Sequence, residues 1–251
     1  MIKTVEAPNS GYRFMPGVSQ YSAGVAALPG FTIERVRFAR PIRLHRGFDR
    51  IAQILKDAGR PLTAFAACEL RSPTPFTEAG FVSFNEEYTG ILKSWGLMLD
   101  DTNPVARSNV CPKIDPPSEP SVYAFSFTIV AENAPASFVI AGSGEAPEGK
   151  SNYRDHAIRL GDISPAAILE KAKWVLGEME RRMSAFSGDW TQVTATQLYT
   201  VHNIFPFLES ELGKRGIFGQ GLTWHLHRPP VKDLEYEMDC RRVQVERMME
   251  G

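Results

Sequence analysis

The sequence predicts an α+β protein built from two tandem units, and three observations predict it. Short apolar runs that alternate with period two read as strands, longer stretches with apolar residues at helical spacing read as helices, and the order of these elements in residues 1–130 returns in residues 131–251. The length of 251 residues admits either one large domain or two small ones. The repeat decides for two, each a mixed sheet with helices packed on one face.

The elements follow in order. Residues 31–41 (FTIERVRFARP) alternate apolar and charged side chains, the pattern of a half-buried strand, and residues 18–28 offer another before it. Phe48, Ile51, Ala52 and Leu55 recur at helical spacing, and Gly59-Arg60-Pro61 closes that helix with a glycine cap and a proline stop. Residues 62–70 (LTAFAACEL) are apolar and small, which suits a central strand ended by Ser72-Pro73-Thr74-Pro75. A second helix is predicted over 84–92, then strands over 107–111 and 121–130, split by the proline-rich stretch 112–120.

The order then restarts. Residues 137–142 (SFVIAG) read as a strand entering the turn Gly142-Ser143-Gly144. Ser164 as N-cap with Pro165 at the first helical position opens a long helix, whose Ile168, Ala172, Val175, Leu176, Met179 and Met183 form one apolar stripe. A strand over 192–199, a helix over 205–214 and closing strands over 222–227 and 234–241 complete the second unit. Glu69-Leu70 and Gln197-Leu198 lie 128 positions apart at matching places, and Phe76 and Phe205 lie 129 apart.

Composition excludes several classes of function. Lys and Arg number 28 against 29 Asp and Glu, so the chain has no broad field for nucleic acid or an anionic membrane surface. No apolar run is long enough to span a bilayer, and the first ten residues carry acid and proline where a signal peptide has its apolar core, so a cytoplasmic protein is expected. Cys68, Cys111 and Cys240 are odd in number, far apart and without a CxxC, which argues against disulfides and a thiolate zinc site. The run Gly142-Ser143-Gly144-Glu145-Ala146 lacks the glycine fingerprint of a dinucleotide loop, so no nucleotide cofactor is indicated. His225 and His227 share one face of a strand and could chelate, but no spacing supplies a third ligand, and no metal is expected.

Two segments carry a family resemblance. Residues 48–110 contain Phe84-Asn85-Glu86-Glu87-Tyr88 and Pro104-Val105-Ala106-Arg107-Ser108, and the second half contains Phe138-Val139-Ile140-Ala141-Gly142-Ser143-Gly144 and Asp233-Leu234-Glu235-Tyr236-Glu237. On these residues the chain resembles the Rid/YjgF superfamily, the reactive-intermediate deaminases, twice over. The resemblance implies two tandem RidA-like domains of chorismate-mutase-like fold, 1–130 and 131–251, and sites in clefts between neighbouring domains of a homotrimer. It also implies that Arg107 binds a substrate carboxylate, by the two-pronged pairing a guanidinium offers. An acid on the last strand, Glu235 or Glu237, would activate water toward an imine.

Departures from the family pattern are informative. The first half keeps the arginine and has Val122-Tyr123-Ala124-Phe125 where the acid belongs; the second keeps the glutamates and has Leu222-Thr223-Trp224 in place of Ala-Arg-Ser. The tyrosine of the family's N-terminal motif falls near Gly17-Val18-Ser19-Gln20, at a valine. Complementary half-sites joined at an interface are therefore expected. The implied activity is a cofactor-independent deamination of a small carboxylate-bearing imine, enamine or 2-aminomuconate-like metabolite, with His225 and His227 as further substrate-facing candidates. A chorismatase-like hydrolase or a non-catalytic metabolite-binding protein is the alternative. Tyr21 and Phe81, with Phe14 and Trp95, are candidate pocket walls, and Cys111 could line the same cleft as Arg107.

Overall fold

The computed structural model describes residues 2–251; Met1, the first residue of the expected first unit, lies outside them. The chain begins with β1 (Val5–Glu6), β2 (Tyr12–Met15), β3 (Gly24–Ala27) and the long β4 (Phe31–Arg43). It continues through α1 (Leu44–Asp57), β5 (Phe65–Arg71), α2 (Glu78–Ser94), β6 (Ala106–Pro112) and β7 (Ser121–Val130). The second series is β8 (Phe138–Gly144), α3 (Pro165–Ser184), β9 (Ala195–Tyr199), β10 (Leu222–His225), β11 (His227–Arg228), β12 (Glu237–Arg242) and β13 (Val245–Met249). No helix among the described residues is long and apolar enough to cross a membrane.

The fold is α+β with two mixed sheets. One sheet has the order β11-β6-β5-β7-β4-β13 and the other β1-β2-β3-β8-β12-β9-β10. Within them β6-β5-β7-β4 and β10-β9-β12-β8 are the same four-strand arrangement, a parallel pair followed by two antiparallel pairings. The expected boundary after residue 130 falls between β7 and β8. Strands nonetheless cross it: β3 hydrogen-bonds to β8, and β13 runs parallel to β4. Each sheet thus borrows edge strands from the other half of the chain.

Helices cover the outer faces. Phe48, Ile51 and Leu55 of α1 and Phe81, Phe84 and Tyr88 of α2 pack with Phe65, Leu70 and Phe125 of their sheet. The α3 stripe Ile168, Ala172, Val175, Leu176, Met179 and Met183 packs with Ile140, Leu198 and Met238 of the other. Ser164 caps α3 as expected, its Oγ accepting from Ala167 N at 3.3 Å. The inner faces meet across small side chains, Ala66, Ala67, Ala106 and Ala141, that let the sheets approach closely.

A polar seam is buried in the same interface. Glu69 takes a two-pronged pair from Arg35 at 2.5 and 2.9 Å, and Gln197 Nε2 donates to Glu69 at 3.1 Å and to Asp239 at 2.9 Å. Glu69 and Gln197, the repeat partners 128 positions apart, therefore touch. Burial raises the Glu69 carboxyl, but Arg35 outweighs it and holds the group well below the usual carboxylate range.

Three segments differ from their sequence pattern. Residues 205–214 form no α-helix but a series of short 3-10 and π turns, because Pro206 withholds a backbone donor and Gly213 and Gly216 loosen the chain, Gly216 at φ +78°. Residues 222–227 are two strands in different sheets, β10 beside β9 and β11 beside β6. The last predicted strand starts at Glu237 instead of 234, because Glu145 takes the N–H groups of Glu235 and Tyr236 at 2.6 and 3.0 Å and so removes them from the ladder.

Candidate active site

Arg107 sits near the start of β6, opposite Cys68 in the parallel register with β5. Its side chain is 3% exposed and caged by rings, with the guanidinium carbon 4.7 Å from the centroid of Tyr88, 5.0 Å from Tyr21 and 5.6 Å from both Phe81 and Phe84. Such a cage favours the cation through the ring quadrupoles while leaving hydrogen bonds unmade. Arg107 Nη1 is buried with no protein partner. Tyr88 Oη, Asn109 Nδ2 and Asn85 Oδ1, on the same two elements, are also buried and unpartnered. A native interior rarely leaves several polar atoms unsatisfied in one place, so these atoms call for ordered water or a ligand.

Arg107 and Glu237 line one cavity of about 30 Å³, together with Tyr21, Asn109, Tyr153 and Leu234. Glu237 opens β12, opposite Tyr199 on one side and Gly144 on the other. Its carboxyl displaces any side chain at Gly142, where a Cβ would collide with Glu237 Oε1 and lie 3.2 Å from Ser108 Cα. That close approach is why β8 carries glycine at position 142. Burial, then Asp239 and Glu145, push the Glu237 carboxyl well above the usual carboxylate range, against the opposing pull of Arg182 and Arg107. That shift favours the protonated form, which can give a proton.

The remaining sequence candidates lie elsewhere. Glu235 precedes β12 and is held by His202 Nε2 and Arg228 Nη1, both at 2.6 Å, and it lines a different cavity from Arg107. His225 and His227 stack on Tyr199, with centroids at 5.2 and 6.0 Å, and do not line the Arg107 cavity. Burial and the nearby Arg71 lower these histidines to about 4 and about 3, so both are neutral near pH 7. Cys111 is buried, lines a different cavity with Arg228 and Glu235, and is pushed up to about 12 by burial and by Glu237. A thiol in that condition is a poor nucleophile. Phe14 and Trp95 fill core positions, whereas Tyr21 and Phe81 do wall the cavity.

Two site residues, Asn109 and Tyr153, were not singled out as functional by the sequence pattern, and neither was the pairing of Tyr21 with Arg107. The valine at the expected tyrosine position is answered by Tyr21, three residues further on. Ser22 N donates to Val105 O at 2.9 Å and Asn103 Nδ2 to Gln20 O at 2.8 Å, which lays this segment across the start of β6 and sets Tyr21 on Arg107. Tyr153 belongs to a loop stapled to α2 by Glu78, whose carboxylate accepts from Tyr153 N at 3.0 Å and Arg154 N at 3.3 Å.

Fold and site together define an α+β protein of two similar sheets in which an arginine on β6 and a buried carboxyl group on β12 line one small cavity. Residues 4–247 match the family described as 2-aminomuconate deaminase CnbZ, and the chain belongs to that family. It is 49% identical over 233 residues to the 2-amino-5-chloromuconate deaminase of Comamonas testosteroni, covering 92% of this chain and 93% of the relative. Solved structures that resemble it include a putative translation initiation inhibitor from Vibrio vulnificus, at TM-score 0.31 and 13% identity over 43% of this chain and 81% of that one. The YjgF gene product of E. coli gives TM-score 0.31 and 13% identity over 46% of this chain and 87% of its own.

Proposed function

We propose that this protein hydrolyses the enamine of a 2-aminomuconate-type substrate and releases ammonia, with the chemistry in the chamber between β6 and β12. The observation that carries the reading is a buried guanidinium nitrogen that lacks a partner among the described residues, on the same cavity as a carboxyl group that burial pushes toward its protonated form. Family membership supports the same reaction class over a chorismatase-like hydrolysis or simple metabolite binding.

Arg107 pairs with the carboxylate next to the amino-bearing carbon and fixes that carbon in the chamber. Glu237, as the acid, protonates the enamine at its distal carbon, and the nitrogen lone pair closes a C=N bond. The resulting carboxylate then takes a proton from a water molecule as its oxygen adds to the imine carbon. Returned to the nitrogen, that proton makes it a leaving group, and as the C–N bond breaks the hydroxyl proton passes to the Glu237 carboxylate, so ammonia leaves, a ketone remains and the acid is restored. Enamine plus water thus gives oxo acid plus ammonia. The aromatic cage keeps bulk water out, which strengthens the Arg107 pairing.

His225, His227 and Glu235 have no contact with this chamber and act in it, if at all, through other residues. Residues 1–130 and 131–251 are read as the two copies of a duplicated unit, and the working particle as a homo-oligomer, a trimer in the simplest form, in the cytoplasm. Exposed Phe205, Trp224 and Leu226 beside the edge strand β10 supply apolar surface for such assembly. The decisive experiment is ammonia release from 2-aminomuconate by wild type, Arg107→Ala and Glu237→Gln. Full activity in either variant would sink the mechanism.

A further inference from the structure

Two unpartnered donors line the inner chamber from one strand. Arg107 and Asn109 are two positions apart on β6, opposite Cys68 and Leu70 of β5, so their side chains leave the same face about 7 Å apart along the strand. Both residues are 3% exposed and both line the chamber. Arg107 Nη1 and Asn109 Nδ2 are buried without a partner among the described residues.

The amide is oriented from behind. Ser72 Oγ donates to Asn109 Oδ1 at 2.9 Å, and Ser72, fully buried just after β5, is itself fixed by its N–H, which donates to Val110 O at 2.9 Å. With its oxygen engaged, Asn109 has its N–H donors left for the chamber. Phe81, Pro230, Val231 and Leu234 around it are apolar and offer no side-chain acceptor. A buried N–H in such surroundings costs free energy until water or a ligand atom meets it.

The chemistry narrows what that atom is. A carboxylate gripped two-pronged by Arg107 uses its oxygens there, so the Asn109 donor is left for a third acceptor. The next carbon is the one that carries nitrogen and receives water. An enamine or iminium nitrogen is a poor acceptor, since its lone pair is committed to the π system, whereas the oxygen that adds to that carbon accepts well. We propose that Asn109 is a further catalytic residue, whose side-chain N–H donates to the oxygen that water places on the carbon beside the Arg107-bound carboxylate. The assignment rests on the deaminase reading for its step. The contact tightens as the hydroxyl gives its proton to Glu237 and the oxygen takes on negative charge, and the ketone product keeps it. Arg107 and Asn109 stand on a strand and Tyr153 on a loop, so the chamber widens on the Tyr153 side to admit a ligand while the two donors keep their places.

A matched pair of unreactive acids tests the contact without turnover: 2-oxopentanoate, with an oxygen on the carbon beside the carboxylate, and pentanoate, without it. In calorimetric titration of the full protein, wild type binds 2-oxopentanoate about fivefold more tightly than pentanoate. Asn109→Leu removes that preference and leaves pentanoate within about twofold of wild type, and Ser72→Ala, which frees the amide to turn, reduces the preference. In turnover of 2-aminomuconate, Asn109→Leu lowers kcat by about 10²-fold with KM nearly unchanged, because the bound substrate does not yet carry the oxygen. Equal binding of the two acids to wild type means that water alone meets the amide and overturns the assignment. An equal loss of both acids in Asn109→Leu, or a raised KM with kcat intact, overturns it as well. Where Asn109→Leu does not fold, Ser72→Ala decides: an unchanged preference there rejects the role. No ammonia release by wild type with the oxo-acid preference intact rejects the deaminase reading and leaves the Asn109 contact standing.

Discussion

The duplicated units present matching strands with different chemical content. Cys68 lies opposite Arg107 where β5 meets β6, and Thr196, 128 positions later, lies opposite Leu222 where β9 meets β10. Tyr199 lies opposite Glu237, while its counterpart Arg71 lies opposite Ser121. One cleft therefore holds the arginine and the acid; at the same register the other holds leucine and serine. The vacated cleft is filled by aromatic packing, with Arg71 3.9 Å from the Tyr123 centroid and 5.5 Å from Tyr199, and with His225 and His227 stacked alongside. Two units of one chain need not be alike, and here one cleft holds the arginine and the acid while the other is packed with aromatic side chains. A homotrimer of single units has no such freedom.

The contrast can be broken at the occupied cleft first. Arg107→Ala should lower kcat/KM for 2-aminomuconate by about 10³-fold, since it removes the buried partner of a charged group. A loss below about tenfold would move the carboxylate site elsewhere. Glu237→Gln keeps the shape of the neutral acid and removes its proton transfer, so kcat should fall by about 10²-fold with KM nearly unchanged.

The same variant sharpens the comparison through stability. The folded Glu237 carboxyl titrates above its unfolded value, so the unfolded chain sheds this proton first as pH rises. Stability from this group is complete below the unfolded pKa of about 4.5 and declines as pH rises above it. Glu237→Gln should then have the higher Tm at pH 7, with the gap to wild type closing toward pH 4.5. An unchanged gap across that range would mean that the group is ionised in the folded protein.

The smallest effect on activity is expected in the second cleft. His225→Gln and His227→Gln should each change kcat/KM by less than about twofold, because neither side chain reaches the chamber. Their signature lies in acid stability. Both are lowered from 6.5, to about 4 and about 3, so the unfolded chain gains protons first as pH falls below 6.5 and stability drops. The variants should lose less Tm than wild type between pH 6.5 and 4. A large loss of activity instead would return the pair to the catalytic machinery.

Local pattern was enough for the elements whose signals are local. The apolar stripe and Ser164-Pro165 start set α3, and the run SVYAFSFTIV after a proline-rich stretch set β7 at Ser121–Val130, the range the sequence indicates. It was not enough where an element's partner lies far along the chain. Residues 12–15 pair with 24–27 into a hairpin that joins the second unit's sheet, and Val245–Met249 pairs with β4 more than two hundred positions earlier; no periodicity in so short a run announces either partner. Glu235 illustrates the same limit within the site. Two positions from Glu237, it reads as sharing its face on a strand, yet Glu145, some ninety positions away, takes its backbone N–H and His202 and Arg228 take its carboxylate.

The sequence by itself determined the α+β composition, the duplication and the division of arginine and acid between two halves, because periodicity, spacing and residue type are properties of the chain. Tertiary structure decided which acid meets Arg107, which tyrosine completes the cage and which cleft stays open. Those choices depend on burial and close approach: enclosure between two sheets pushes the Glu237 carboxyl toward its neutral form, and it fits there only because Gly142, on the neighbouring strand β8, has no side chain.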